Sequence, residues 1–122
     1  MSDKIVMLVE DIGFLRGLLK NFLQSEGYYV ITASDAEETL TLISEIKPDV
    51  VVLDTVLSRP NIRKLRHKIN LVQDIPVIEI NTANREIEML ENDLPQIAQF
   101  FRETFSLDDL LYRIRLECKD AD

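Results

Sequence analysis

Cysteine is nearly absent. Cys118 stands alone in 122 residues, so no disulfide can close within the chain, and a reducing, cytoplasmic setting is the expectation. No apolar run approaches the roughly 20 residues that cross a bilayer, and the N-terminus lacks the basic-then-apolar layout of a signal peptide. Neither membrane insertion nor secretion is expected. Positive charge is also short, with 14 Lys and Arg against 22 Asp and Glu and a formal net charge of −8. Phosphate backbones would repel such a molecule, which argues against direct nucleic-acid binding. Glycine is scarce at three residues, and no repeat or low-complexity stretch interrupts the chain.

What is present suits a globular protein: 46% hydrophobic and 30% charged residues, in a length that fits one domain, taken as residues 1–122. Short apolar runs alternate with helical patterns. Lys4 to Val9 is a near-continuous apolar run, the mark of a strand buried on both faces. Leu15, Leu18, Leu19, Phe22 and Leu23 follow at helical spacing until Gly27 stops them. Tyr28 to Ala33 is β-branched and aromatic, a second strand. Ser34-Asp35-Ala36-Glu37 matches a capping box before a helix carrying Ala36, Leu40, Ile43 and Ile46.

Val50 to Leu53, entered through Pro48, reads as a third, fully buried strand. Asn61 can cap a helix with Ile62, Leu65 and Ile69 inward. Pro76 to Ile80 is a fourth strand, 85–91 a weaker helix, and Ala98 to Arg102 a short fifth strand. Ser106 with Asp109 opens a last helix bearing Leu107, Leu110, Leu111 and Ile114. Five βα units predict right-handed crossovers and an α/β fold. The expectation is a doubly wound, five-stranded parallel sheet with five helices over its two faces. If its order is 2-1-3-4-5, the first and third strands are neighbours where strand order reverses.

In such sheets ligands gather beyond the carboxyl ends of the strands, where strand order reverses. Glu10 and Asp11 follow the first strand and Asp54 follows the third, so all three acids fall at that point. One acid after a strand is usually a solvated cap. A pair and a single acid in these two units point to a shared site, where the carboxylates repel one another unless protonated or bridged by a cation. A hard ion such as Mg²⁺ suits these oxygen ligands, and Asp54 is the acid available as a nucleophile toward a phosphoryl group.

The segments VMLVEDIGFLRGLL, PDVVVLDTVL and IPVIEINTA resemble the response-regulator receiver family, the CheY-like proteins, over nearly the whole chain. The resemblance implies a flavodoxin- and CheY-like fold in which Asp54 accepts a phosphoryl group from the histidine of a sensor kinase or phosphotransfer protein. It implies that Glu10, Asp11, Asp54 and the backbone carbonyl of Val56 hold Mg²⁺. It also implies a domain that is not itself an enzyme and that signals through a downstream protein partner.

The switch positions depart from the family pattern. The family's hydroxyl position falls on Asn81, with Thr82 immediately after it. The family's Lys-Pro-Phe becomes Glu103-Thr104-Phe105, which puts an acid where a lysine would face the phosphate, and the aromatic switch position is Phe100. Glu103 would repel a phosphate at short range. Either Arg59 or Arg85 supplies the missing charge, or Glu103 turns to water or joins the metal ligands. Asn81 can donate through its amide and Thr82 through its hydroxyl. The loop after Asp54 reads Ser58-Arg59-Pro60-Asn61, unlike the Pro and Gly usual there.

Arg59, Arg63, Lys64, Arg66, His67 and Lys68 make the third helix basic within an acidic chain. A solvated face is the ordinary explanation, and a docking surface for an acidic partner is the alternative. His67 has no second ligand in reach by sequence, and Cys118 reads as a bystander. Phe100, Phe101, Phe105 and Leu107 read as core, with part of the patch bordering the last helix, a surface that family members use for partners or homodimers.

Three functions compete. The first is a phosphorylatable receiver, favoured by Glu10, Asp11 and Asp54. The second is a pseudo-receiver that binds a partner irrespective of phosphorylation, favoured by Glu103. The third is an enzyme or cofactor protein on the same fold. A haloacid-dehalogenase-type phosphatase needs an acid where Val56 stands, and the acids of Glu10-Asp11-Ile12 would repel a flavodoxin's phosphate.

Overall fold

The computed structural model describes residues 3–54, 62–82 and 105–119. Within them strands and helices alternate: β1 (Ile5–Val9), α1 (Gly13–Ser25), β2 (Tyr29–Ala33), α2 (Ala36–Glu45), β3 (Val50–Asp54), α3 (Ile62–Val72), β4 (Val77–Ile80) and α4 (Leu107–Cys118). The strands form one parallel sheet in the order β2-β1-β3-β4. Val9 lies opposite Ala33 and Leu53, and Asp54 lies opposite Ile80. The doubly wound parallel architecture expected from the sequence is what the chain adopts. The expected strand at 98–102 and helix at 85–91 lie outside the described residues.

Side chains alternate across each strand, so every central strand feeds two cores. Val6 and Leu8 of β1, Val50 and Val52 of β3, and Ile78 and Ile80 of β4 pack on one face with Leu15, Leu19 and Leu23 of α1 and Leu110, Leu111 and Ile114 of α4. Met7, Val9, Val51 and Leu53 turn to the other face, where they meet Ile43 of α2 and Leu65 and Ile69 of α3. Burial on both faces explains why β1 and β3 read as unbroken apolar runs. Each such side chain contributes about 1.5–3 kcal/mol on leaving water. β2 lies at the sheet edge, and its Tyr29 is exposed.

Local signals set the helix ends. The Tyr28 amide donates to the Leu23 carbonyl at 3.2 Å and the Gly27 amide to that of Gln24 at 3.0 Å, closing α1 in a Schellman motif. Gly27 stands at φ 96°, a left-handed conformation that a side chain would strain. At α2 the capping box is displaced by one residue from the sequence reading. Asp35 is the N-cap, accepting from the Glu38 amide at 2.8 Å, and the Glu38 carboxylate accepts from the Ser34 amide at 2.7 Å. The box is therefore Asp35 with Glu38, because an ionised carboxylate is the stronger acceptor and Asp35 has the extended backbone of a cap. Ser106 caps α4 as expected, accepting from the Asp109 amide at 3.0 Å.

At the amino end of the sheet, the Ile5 amide donates to the Asp49 carboxylate at 2.7 Å, and the Asp49 amide donates to the Ile5 carbonyl at 2.8 Å. These bonds tie the start of β3 to β1, so that both strands deliver their ends together at the opposite edge. No helix among the described residues is long and apolar enough to cross a membrane.

Candidate functional site

Two-residue periodicity carries three polar side chains to one place. The face that holds Val6 and Leu8 continues to Glu10, that of Val50 and Val52 to Asp54, and that of Ile78 and Ile80 to Thr82. All three run past the apolar core at the carboxyl end of the sheet, and all are buried: Glu10 is 0% exposed, Asp54 1% and Thr82 5%. The Thr82 hydroxyl donates to Asp54 Oδ2 in a close hydrogen bond. It also lies 3.4 Å from Glu10 Oε1, and the Thr82 amide donates to Asp54 Oδ1 at 3.4 Å.

The electrostatics follow from burial. Glu10 has its carboxyl pushed up to about 9 from 4.5, chiefly because burial disfavours its charged form. A hydrogen bond with Asp54 and the Asp54 charge raise it further, the Ile12 amide pulls it down, and Asp11 adds a smaller upward push. Near neutral pH Glu10 therefore holds a proton, and it shares a hydrogen bond with Asp54 instead of repelling it. The loop that carries Glu10 is fixed by its backbone. The Glu10 amide donates to the Ala33 carbonyl at 3.0 Å, and Arg16 on α1 donates to the Glu10 carbonyl at 2.9 Å. Sequence reasoning did not single out Arg16, although a basic residue one turn into α1 was the available signal.

The donor set fits a hard divalent cation in its chemistry, since it is all oxygen and two of its acids touch. Among the described residues, however, no three His, Cys, Asp or Glu side chains are gathered as a finished metal centre. Glu10 and Asp54 come together, while the half-buried Asp11 stands beside them on the loop. Of the two candidates after β4, Thr82 reaches Asp54 and Asn81 is exposed at the mouth of a cleft of about 240 Å³ with Glu79, Phe105 and Arg113. Val56, Arg59, Arg85, Phe100 and Glu103 lie outside the described residues.

Fold and site together define a doubly wound α/β domain with a buried acidic cluster where its two central strands end. The chain belongs to the response regulator receiver domain family, whose model matches residues 6–115. It is 30% identical over 110 residues to a probable transcriptional regulator, ycf27, of Guillardia theta, a match covering 90% of this chain and 43% of that protein. The chain spans about half the length of the curated relatives it matches. Among solved structures it resembles a CheY-like receiver domain protein from Methanospirillum hungatei JF-1, with a TM-score of 0.72 at 21% identity over 97% of this chain and 95% of that one. It also resembles the response regulator TrrA of Thermotoga maritima, solved in complex with Mg²⁺ and BeF, with a TM-score of 0.69 at 24% identity over 93% and 98%. At these identities the likeness establishes the fold.

Proposed function

We propose that residues 1–122 form one receiver domain in which Asp54 accepts a phosphoryl group from a sensor histidine kinase or phosphotransfer protein, in a Mg²⁺-dependent reaction. The observation that carries this reading is the meeting of Glu10, Asp54 and Thr82 in a buried cluster at adjacent strand ends. Asp54 is the acceptor because it closes a central strand and stands opposite β4, within reach of both Thr82 donors. Glu10, Asp11, Asp54 and the Val56 carbonyl would hold Mg²⁺, which when bound supplies positive charge against the acids and the phosphoryl oxygens. Binding needs Glu10 to give up its proton. Thr82, with Asn81 beside it, is the hydroxyl available to a phosphoryl oxygen after it releases Asp54. Phe100 and Glu103 stand at the remaining switch positions, with Arg59 or Arg85 as the neutralising cation.

The domain is a signalling module of the cytoplasm, not an enzyme, and it acts by changing its affinity for a downstream protein. The relative's printed role as a transcriptional regulator suits an output carried by other residues or another chain. The acid at Glu103, where family members carry a lysine facing the phosphate, favours a pseudo-receiver instead. Intact-protein mass after incubation with acetyl phosphate and Mg²⁺ separates the two. One added phosphoryl group, absent in Asp54→Ala, is expected. No addition at any Mg²⁺ concentration leaves the pseudo-receiver.

A further inference from the structure

The two helices on the β2-to-β4 side of the sheet opposite α1 and α4 have opposite charge. Every charged residue of α2 (Glu37, Glu38 and Glu45) is acidic, and all three are exposed. Every charged residue of α3 is basic, and Lys64, Arg66, His67 and Lys68 are exposed. Arg66 is held by Glu79 at 2.8 Å. Among the described residues, Lys64, His67 and Lys68 form no ion pair. Lys64, His67 and Leu71 share one helix face by their spacing, with Lys68 beside them. Leu71 is 73% exposed and Val72 49%, so the basic face ends in bare apolar surface.

We infer that this face binds a second copy of the chain, α2 of each copy lying on α3 of the other. The argument is charge complementarity within one molecule. α2 and α3 pack side by side on the same core and both start at the carboxyl end of the sheet, so they run parallel. A two-fold axis along the helices then sets each acidic helix over a basic one twice, the self-matching contact of an isologous dimer. The axis leaves each residue at its own height, so the first turns of α2 and α3, with Glu37, Glu38 and Lys64, come to the same end of the contact. Turning the axis across the helices would stack acid on acid. A net charge of −8 on each copy gives no general attraction, so the match has to be local. None of the residues in this contact belongs to the Glu10, Asp54 and Thr82 cluster.

Sedimentation of the unmodified chain from low-micromolar to near-millimolar concentration should show a reversible dimer. Two charge-reversed variants, Lys64→Glu/Lys68→Glu and Glu37→Lys/Glu45→Lys, change exposed positions that cap no helix. Each alone should lose about tenfold or more in association constant. Mixed in equal amounts, the two should form a heterodimer, because both contacts are then restored. Unchanged thermal melting of each variant keeps the result from being a folding defect. An unmodified chain that stays monomeric at near-millimolar concentration overturns the inference and leaves α3 to an acidic partner of another kind. Variants that dimerise as well as the unmodified chain, or a mixture that stays monomeric, overturn it equally.

Discussion

At the scale of single residues, Glu10 makes stability depend on pH in a direction unusual for an acid. Unfolded, its carboxyl titrates near 4.5; folded, near 9. Below 4.5 both states hold the proton and its contribution is fully present. Between the two values only the folded state holds it, so stability falls as pH rises and the contribution is gone once pH passes about 9. In metal-free buffer the unfolding free energy from urea titration should fall steadily between pH 5 and pH 9, by an amount on the order of a few kcal/mol. Glu10→Gln keeps a neutral group of the same shape and should flatten that slope. An equal slope in the variant would assign the effect to other groups. Glu10 and Asp54 could be read from the sequence because each directly follows an apolar run. Thr82 was harder to place, since the family's hydroxyl position falls on Asn81. Extending the alternation of Ile78 and Ile80 by one step lands on Thr82, whereas Asn81 follows the exposed side of Glu79.

At the scale of the element, apolar runs and helical spacing were enough to locate all eight described strands and helices, because burial on two faces leaves a strong pattern. Their ends were less legible. Ser34 and Asp35 are both good caps and are adjacent, so the choice depends on where the backbone leaves the extended region. Ala36, expected on the inner face of α2, is exposed, and Thr39 is buried in its place with its hydroxyl on the Asp35 carbonyl at 2.7 Å. That bond lets a polar residue sit at a core position. The shifted frame has a measurable consequence. Asp35→Ala should destabilise the fold by about 1 kcal/mol in urea titration, within the usual range for a lost cap. Ser34→Ala should cost clearly less, since Ser34 bonds Glu38 chiefly through its amide at 2.7 Å and only weakly through its hydroxyl at 3.4 Å. The reverse order would restore the reading from sequence.

At the scale of the whole molecule, one sheet separates two core clusters among the described residues. Ile114 is fully buried with α1 on one side, and Ile69 is fully buried with α2 on the other. The site lies at the end of the first core, where Glu10, Asp54 and Thr82 continue its rows of side chains. Removing one methyl group from each core tests how far the sheet keeps them apart. Ile114→Val and Ile69→Val should each cost about 0.5–1.5 kcal/mol, because a small cavity forms that the packed neighbours fill only in part. If the sheet insulates the two faces, the double variant should cost the sum of the singles to within about 0.5 kcal/mol. A larger coupling would mean that strain on the α2 and α3 face reaches β1 and β3. Those strands carry Met7 and Val51 on one side and Leu8 and Val52 on the other, and they end at the acids. A dimer through α2 and α3 could then bias the pocket at the strand ends, and the acids could in turn bias the dimer by the same free energy.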